Sequence, residues 1–304
     1  MIYDVIIIGS GPAGLSAAVY AQRACLKCVI AEKLHRGTGQ ISEGGKVDNY
    51  PGIYGSSGFE LGEKFRSHAE SLGAEFYEGE AVSITPLKDM YKVSFSDGNA
   101  FDTRTIIYAA GTSRRRLGVP GEAELTGRGV SYCAVCDGAF YKNKTVAVIG
   151  GGDTALGDVE ILSSIAAKVY LIHRRSEFRA GAALQERVSK LSNVECLMNS
   201  TVSKISGEGK VSFLTVCYNA AEREIPVDGV FVAVGSSPNS GLLKGITELD
   251  SSGYVIAGED GKTTAKGIFA AGDVRVKSLR QVVTAAADGA NCADSAERYI
   301  LENR

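Results

Sequence analysis

Short apolar runs punctuate this chain, and glycine ends each of them. Residues 3–8 are mainly β-branched and apolar, as a strand buried on both faces would be, and Gly9-Ser10-Gly11-Pro12-Ala13-Gly14 breaks the run. Small and apolar residues over 15–24 predict a helix, and 28–32 the next strand. The same unit recurs later. Residues 145–149 predict a strand, Gly150-Gly151-Gly152-Asp153-Thr154-Ala155 a glycine turn, 156–166 a helix and 169–172 a strand. Each unit is followed by a β-rich stretch, YKVSFSDG in one and VSFLTVCYN in the other. Each stretch leads to an apolar strand ending in glycine, TIIYAAG at Gly111 and GVFVAVG at Gly235, and a third such strand, GIFAAGDV, spans 267–274.

The repeated strand–turn–helix–strand order predicts an α/β protein of two doubly wound nucleotide-binding modules, with the chain after about 245 returning to one of them. The expected hinges are 113–118 and 241–245, and a length of 304 residues agrees with about two domains. A net charge of −2 gives no overall pull toward nucleic acid or a membrane, so an anionic ligand has to be held by local basic clusters. The start, MIYDVIIIGSGPAG, is apolar only for a strand's length and has neither a basic leader nor a small-residue cleavage site. It reads as neither signal peptide nor spanning helix. Seven cysteines, an odd count without a secretory signal, point to a cytoplasmic protein with mostly reduced thiols rather than a disulfide framework.

The glycine turns have a specific use. In G-x-G-x-x-G the first glycine permits the tight turn, the second lets the backbone approach a pyrophosphate, and the third lets helix and strand pack closely. The helix N-terminus then faces the phosphates. Gly9, Gly11 and Gly14 make one such fingerprint, and Gly150 and Gly152 begin the other. The ends of the following strands distinguish them. Glu32 stands 23 residues after Gly9, an acid placed for ribose hydroxyls; His173 stands 23 residues after Gly150 and opens HRRSEFR, with Arg174, Arg175 and Arg179. An acid there repels a 2′-phosphate, while clustered guanidiniums bind one. The first site therefore reads as FAD and the second as NADPH rather than NADH. A solvated basic strand end is the plainer reading of HRRSEFR, but it leaves the shared register unexplained.

Two CxxC pairs are present, CLKC at Cys25 and Cys28 and CAVC at Cys133 and Cys136. A zinc ribbon spaces its pairs by about 15–20 residues, whereas Cys28 and Cys133 are 105 positions apart, so no metal site is expected. CLKC joins the first helix to the second strand, where free cysteine serves as a small buried hydrophobe. CAVC precedes the second dinucleotide strand and runs directly into Asp137 and Gly138. A CxxC pair lies within disulfide reach and can hold one thiol ionised, and Asp137 offers a carboxyl for proton transfer.

Together GSGPAG, GQ…DNYPG, AAGTSRRRLGVPGE, CAVCDG, GGGDTA, HRRSEFR, IFAAGDV and RQVVTAAADGA resemble the low-molecular-weight thioredoxin reductases over essentially the whole chain. The resemblance implies an FAD domain, 1–113 and 246–304, split around an NADPH domain, 114–245, that carries the redox cysteines. It also implies a homodimer whose NADPH domain rotates to alternate access to the flavin, and a thioredoxin-like disulfide protein as partner. On this likeness Gly9, Gly11, Gly14, Glu32, Gln40 and Asn49 hold FAD, with Asp273, Arg280, Gln281 and Val282 closing over its ring system. Gly150, Gly152, Asp153 and Thr154 take the NADPH pyrophosphate, and His173, Arg174, Arg175 and Arg179 its adenosine phosphate. Cys136 faces the flavin, Cys133 attacks the partner disulfide and Asp137 is the acid/base.

Three places depart from that pattern. Thr38 precedes Gly39 and Gln40 where paired glycines are usual. Gly157-Asp158 replaces two acids in the helix after GGGDTA, at a helix-propensity cost of about 1 kcal/mol. Ala180-Gly181-Ala182 follows HRRSEFR without the usual lysine. The expected electron path is NADPH to flavin to the Cys133–Cys136 disulfide to the partner disulfide. Two other routes use the same cysteines: a flavin dithiol oxidase passing electrons to oxygen, and a reductase fed by ferredoxin. GGGDTA with HRRxxxR favours NADPH. None of the histidines is needed as a base, and His35 and His68 read as ordinary loop or surface residues.

Overall fold

The computed structural model describes residues 2–43, 46–47, 49–218 and 221–303; Asp48 of DNYPG and Asn219 of VSFLTVCYN lie outside them. The chain divides into two compact units, Met1–Ser113 with Ser237–Arg304, and Arg114–Ser236.

In the first unit the strands Glu75–Glu78, Cys28–Glu32, Ile2–Ile8 and Ala100–Tyr108 lie side by side in parallel, with Ile268–Ala270 added along Ala100–Tyr108. Ile7 pairs with Ile30 on one side and Ile107 on the other. Both faces of this sheet are covered. Val5, Ile7, Ile30 and Ile107 point into one apolar cluster and Ile6, Ile8, Ile106 and Tyr108 into a second. Double coverage is why these strands read as unbroken apolar runs rather than as alternation. The antiparallel strands Ala81–Pro86 and Tyr91–Phe95 extend the sheet. The helices Pro12–Arg23 and Val282–Glu302 cross on small residues; a Cβ on Gly289 would lie 2.0 Å from the Ala13 carbonyl oxygen.

The second unit repeats the plan. Val130–Ser131, Gly229–Ala233, Thr145–Gly150, Lys168–Ile172 and Val194–Leu197 form a parallel sheet in that order. A three-stranded antiparallel sheet, Ser200–Ser206, Phe213–Tyr218 and Ala221–Pro226, completes it.

Both fingerprint helices begin three residues before the expected start, at Pro12 and Asp153, because the last residues of each glycine turn already have helical backbone. The return to the first unit falls at Ser237 rather than near 246. Local contacts account for this. Tyr108 Oη donates to the Asn239 carbonyl at 2.6 Å, Asn239 Nδ2 donates to the Ala110 carbonyl at 2.9 Å, and Leu243 is wholly buried in the first unit's core. Leu243 thus anchors the segment 241–245 to the first unit's core, although Gly241, Lys244 and Gly245 are exposed.

The tail carries one buried charge cluster. Asp288 accepts from Arg275 through both oxygens, at 2.6 and 2.8 Å, from Lys277 Nζ at 2.8 Å and from the Gly272 amide at 2.9 Å. Burial opposes its charge, but the hydrogen bonds from Arg275 and Lys277 win and hold its carboxyl below the ordinary value. The Asp288 contribution to stability is therefore present at neutral pH and fades as pH falls through the depressed folded value. Asp288→Asn leaves two buried cations without an anion and should destabilise the first unit by about 3–5 kcal/mol. The urea unfolding midpoint of the purified variant checks this, and an unchanged midpoint would refute the assignment.

Candidate functional site

The first fingerprint depends on backbone approach. Gly9 sits at φ +102°, and a Cβ there would lie 2.5 Å from the Ala109 carbonyl oxygen. A Cβ on Gly14 would lie 1.9 Å from the Gly9 carbonyl oxygen. These two contacts seat the N-terminus of helix Pro12–Arg23 at the carboxyl edge of the sheet, and no side chain caps it. Its free amides form a ready anion site. Beside it, Glu32 ends its strand. Its Oε2 accepts from the Ser10 amide at 3.1 Å and the Ser10 hydroxyl at 2.7 Å, and its Oε1 from the Leu34 amide at 3.0 Å. The carboxylate is thus fixed against the glycine turn.

The segment after Glu32 folds over this turn, since a Cβ on Gly39 would lie 2.8 Å from Gly11 Cα. Thr38, which replaces a glycine of the family pattern, is buried against Gly62 of helix Gly58–Ser71, where a Cβ would meet its Oγ1 at 2.6 Å. Absence of a side chain at 62 makes the room that Thr38 needs. Gln40 donates through Nε2 to the Thr112 carbonyl. Asn49 Nδ2 donates to Gln281 Oε1 at 2.9 Å, so two residues far apart in sequence meet. Val282 opens the last helix, with Gln281 as its N-cap. The tail turn touches the fingerprint helix, because a Cβ on Gly272 would lie 2.9 Å from Ala13 Cβ.

Two buried polar atoms in this tail have no protein partner, Asp273 Oδ1 and Arg280 Nε. Burial pushes the Asp273 carboxyl up, with Lys277 and Arg280 pulling the other way. The Arg280 guanidinium lies 4.2 Å above the Tyr254 ring. An orphaned acceptor and an orphaned donor beside a dinucleotide turn are costly unless a ligand satisfies them. The hydroxyls and ring carbonyls of FAD are groups of the right kind, so these residues fit that cofactor.

The second unit has a cavity of about 430 Å³, within the ~300–1,000 Å³ common for ligand sites. Gly150, Gly151, Gly152 and Thr154 form one side and Arg174 and Arg179 another, with Arg115 and Arg116 completing a cationic wall. A Cβ on Gly150 would lie 2.4 Å from the Ala233 carbonyl oxygen, the counterpart of the Gly9 contact. His173 is buried under the turn; its ring would collide with a Cβ on Gly151 at 2.2 Å, and its Nε2 lies 3.0 Å from the Glu177 carbonyl oxygen. It props the glycine turn from below. Asp153 Oδ1 accepts from the Gly181 amide at 2.9 Å, and the Arg179 amide donates to the Gly151 carbonyl at 2.7 Å, so the basic loop is tied to the glycine turn. Arg175 is exposed and is not among the residues lining this cavity. Arg115 and Arg116 went unassigned in the sequence, although the run TSRRRLG was a signal for them. In the helix behind the turn, a Cβ on Gly157 would meet open space, and burial raises the Asp158 carboxyl to about 7.

Cys133 and Cys136 are joined in a disulfide, with their Cα atoms 5.3 Å apart. Cys133 caps the short helix Ala134–Asp137, its Sγ accepting from the Cys136 amide at 3.2 Å. Cys136 is exposed and Cys133 half-buried. Asp137 follows directly, its Oδ2 accepting from the Ser131 hydroxyl at 2.6 Å. The other pair is different. Cys25 is exposed at a left-handed turn, φ +55°, outside the core where CLKC was expected to place it, and Cys28 is buried in its strand. Burial pushes the Cys28 thiol up to about 11. Neither is disulfide-bonded. No group of residues suited to a metal ion occurs among those described.

Two dinucleotide turns and a bonded CxxC pair define a disulfide oxidoreductase built on Rossmann-type modules. The chain belongs to the pyridine nucleotide-disulphide oxidoreductase family, whose pattern it matches over residues 3–289. It is an oxidoreductase, and membership of this family implies FAD and NADPH as its cofactors. It is 43% identical over 304 residues to a thioredoxin reductase of Listeria monocytogenes, covering 99% of this chain and 95% of that one. It is 44% identical to the thioredoxin reductase of Bacillus subtilis, covering 99% and 96%. The crystal structure of thioredoxin reductase from Streptococcus pyogenes superposes with a TM-score of 0.93 at 39% identity, covering 99% of each chain.

Accessible thiols give a direct check on the two cysteine pairs. Iodoacetamide at pH 8 should label Cys25 and Cys196 in the oxidised native chain, and Cys133 and Cys136 only after reduction. Cys28 and Cys292, buried and pushed up to about 11 and about 12, should stay unlabelled. Peptide mass spectrometry reads the pattern, and labelling of Cys28 before Cys25 would contradict it.

Proposed function

We propose that this chain is an NADPH-dependent thioredoxin-disulfide reductase. The observation that carries the reading is the bonded Cys133–Cys136 pair, with Asp137 beside it, on the same module as the cationic dinucleotide cavity. In this reading Met1–Ser113 with Ser237–Arg304 is the FAD domain and Arg114–Ser236 the NADPH domain. The partner is a thioredoxin-like disulfide protein. Whole-chain likeness to thioredoxin reductases supports a homodimer working in the cytoplasm.

FAD, when bound, supplies the two-electron transfer between the nicotinamide and the disulfide. Gly9, Gly11 and Gly14 with the helix N-terminus hold its pyrophosphate, Glu32 its ribose, and Gln40, Asn49, Asp273, Arg280, Gln281 and Val282 the remainder. Gly150, Gly152 and Thr154 receive the NADPH pyrophosphate. His173, Arg174 and Arg179, which all line the cavity, take the adenosine phosphate, with Arg175 on the exposed loop beside them, while Asp153 holds that loop through the Gly181 amide.

Two electrons break the Cys133–Cys136 bond, and two protons complete the thiols. Cys136 would be the sulfur on the flavin side, and Cys133 is the one that meets the partner. Cys133 as thiolate attacks one sulfur of the partner disulfide, and the other partner sulfur leaves as a thiolate. Cys136 then attacks Cys133 Sγ, re-forming their bond and releasing the second partner sulfur. Protons pass to the two partner sulfurs, with Asp137 as the group that carries one of them.

Anaerobic titration of the yellow protein tests this assignment. NADPH should bleach the flavin rapidly, and Cys133→Ser should retain that bleaching while losing turnover with the protein disulfide. Bleaching by reduced ferredoxin but not by NADPH, or re-oxidation only by oxygen, would favour the other electron routes. Replacing either Arg174 or Arg179 by Ala should cut the preference for NADPH over NADH by about 10–100-fold, a lost charged hydrogen bond costing ~1.5–3 kcal/mol. Steady-state KM values for the two nucleotides provide the check, and equal loss for both would refute the 2′-phosphate assignment.

A further inference from the structure

We propose that Ser131 is a positioning residue for the redox pair, its hydroxyl fixing the Asp137 carboxylate and the Cys133 backbone in one arrangement. This rests on the roles of Cys133, Cys136 and Asp137 given above. Ser131 ends the strand Val130–Ser131, which pairs in parallel with Gly229–Ala233 opposite Phe231, and it is 5% exposed. Its Oγ accepts from the Cys133 amide at 3.1 Å. The hydroxyl has a single hydrogen and two acceptors in reach, Asp137 Oδ2 at 2.6 Å and the Cys133 carbonyl at 3.4 Å. The shorter contact to a carboxylate wins, since charge-assisted hydrogen bonds are about twice as strong as neutral ones. One oxygen atom on a buried strand therefore links the acid to the backbone of the attacking cysteine.

Without that link Asp137 has only its own short helix to hold it. The helix Ala134–Asp137 spans a single turn, closed by the Asp137 amide donating to the Cys133 carbonyl at 3.1 Å. Such a turn does not restrict the carboxylate rotamer, whereas the strand beneath it is part of the parallel sheet. Ser131 transmits the rigidity of the sheet to the acid. Orientation of this kind matters for proton transfer because the transferring groups must meet at hydrogen-bond distance. In the exchange step the Cys133 thiol gives its proton to the Asp137 carboxylate, and the sulfur's electron pair forms a bond to one partner sulfur. The pair of the broken partner disulfide leaves on the second partner sulfur, which takes the proton back from Asp137. Ser131 keeps its own hydrogen throughout, so its role is placement.

The test uses the full flavin-loaded chain with NADPH and a thioredoxin. Ser131→Ala should lower kcat about 10-fold, the lower bound for a hydrogen bond to a charged group, with KM for NADPH and for thioredoxin unchanged. Ser131→Thr, which keeps the hydroxyl and suits a strand, should restore kcat to within about 2-fold. In an Asp137→Asn background the alanine change should cost no more than about 2-fold, because Ser131 acts through the acid. Ser131→Cys, close in size but a weak donor, carries the same expectation should the alanine variant fail to fold. Stopped-flow bleaching of the flavin by NADPH should keep its rate in each single Ser131 variant. Absent bleaching in the unmodified protein would sink the reductase reading itself. Intact bleaching with full turnover in Ser131→Ala, or multiplying losses in the double variant, would overturn the role of Ser131 alone.

Discussion

The first module depends on a contact that no side chain could survive, the approach of Gly14 to the carbonyl of Gly9, where a Cβ would sit 1.9 Å away. It lets helix Pro12–Arg23 start directly off the central strand, so its unpaired amides end at the carboxyl edge of the sheet. The rest is arranged around that point. Glu32 is pinned to Ser10 of the turn, Gly39 closes over Gly11, and the tail turn at Gly272 rests on Ala13. The last helix crosses the same helix through Gly289. Backbone density at one spot thus collects residues from the start and the end of the chain.

Charge is organised locally in both modules. A chain with a net charge of −2 has no global field for an anion, yet four guanidiniums line one cavity of the second unit. In the first unit Asp288 lies between Arg275 and Lys277 beneath the turn that carries Asp273. A buried carboxylate that is fully hydrogen-bonded holds its partners in one geometry, and the orphaned atoms of Asp273 and Arg280 stand out against it. Asp102 Oδ1 and Ser206 Oγ are unpartnered as well, so it is the place of Asp273 and Arg280 beside the dinucleotide turn that marks them for a ligand.

The two CxxC pairs show how the same spacing acquires different chemistry. Cys28 lies in a central strand, where burial disfavours its thiolate, while Cys25 turns outward on a left-handed residue. Cys133 and Cys136 bracket one helical turn next to an acid that is tied to a strand. Spacing brings sulfurs within reach; the surrounding backbone decides whether they point at each other.

The sequence by itself determined the repeated α/β plan, the strand cores and the fingerprints, because left-handed glycines and doubly buried β-branched runs are local demands that any fold must honour. It also determined the family, since CAVCDG, GGGDTA and HRRSEFR stand in order within one chain. Tertiary structure decided what depends on residues distant in sequence. Asn49 meets Gln281, Thr38 finds its space at Gly62, and Arg115 and Arg116 line the same cavity as Arg174 and Arg179. The return at Ser237 could not be read locally, because the Gly241–Gly245 segment looks like a linker until Leu243 is seen in the core and Asn239 is seen bonded to Tyr108 and Ala110. Ser131 was equally silent: its importance lies in where its one hydrogen goes, and only the fold brings an acceptor to it.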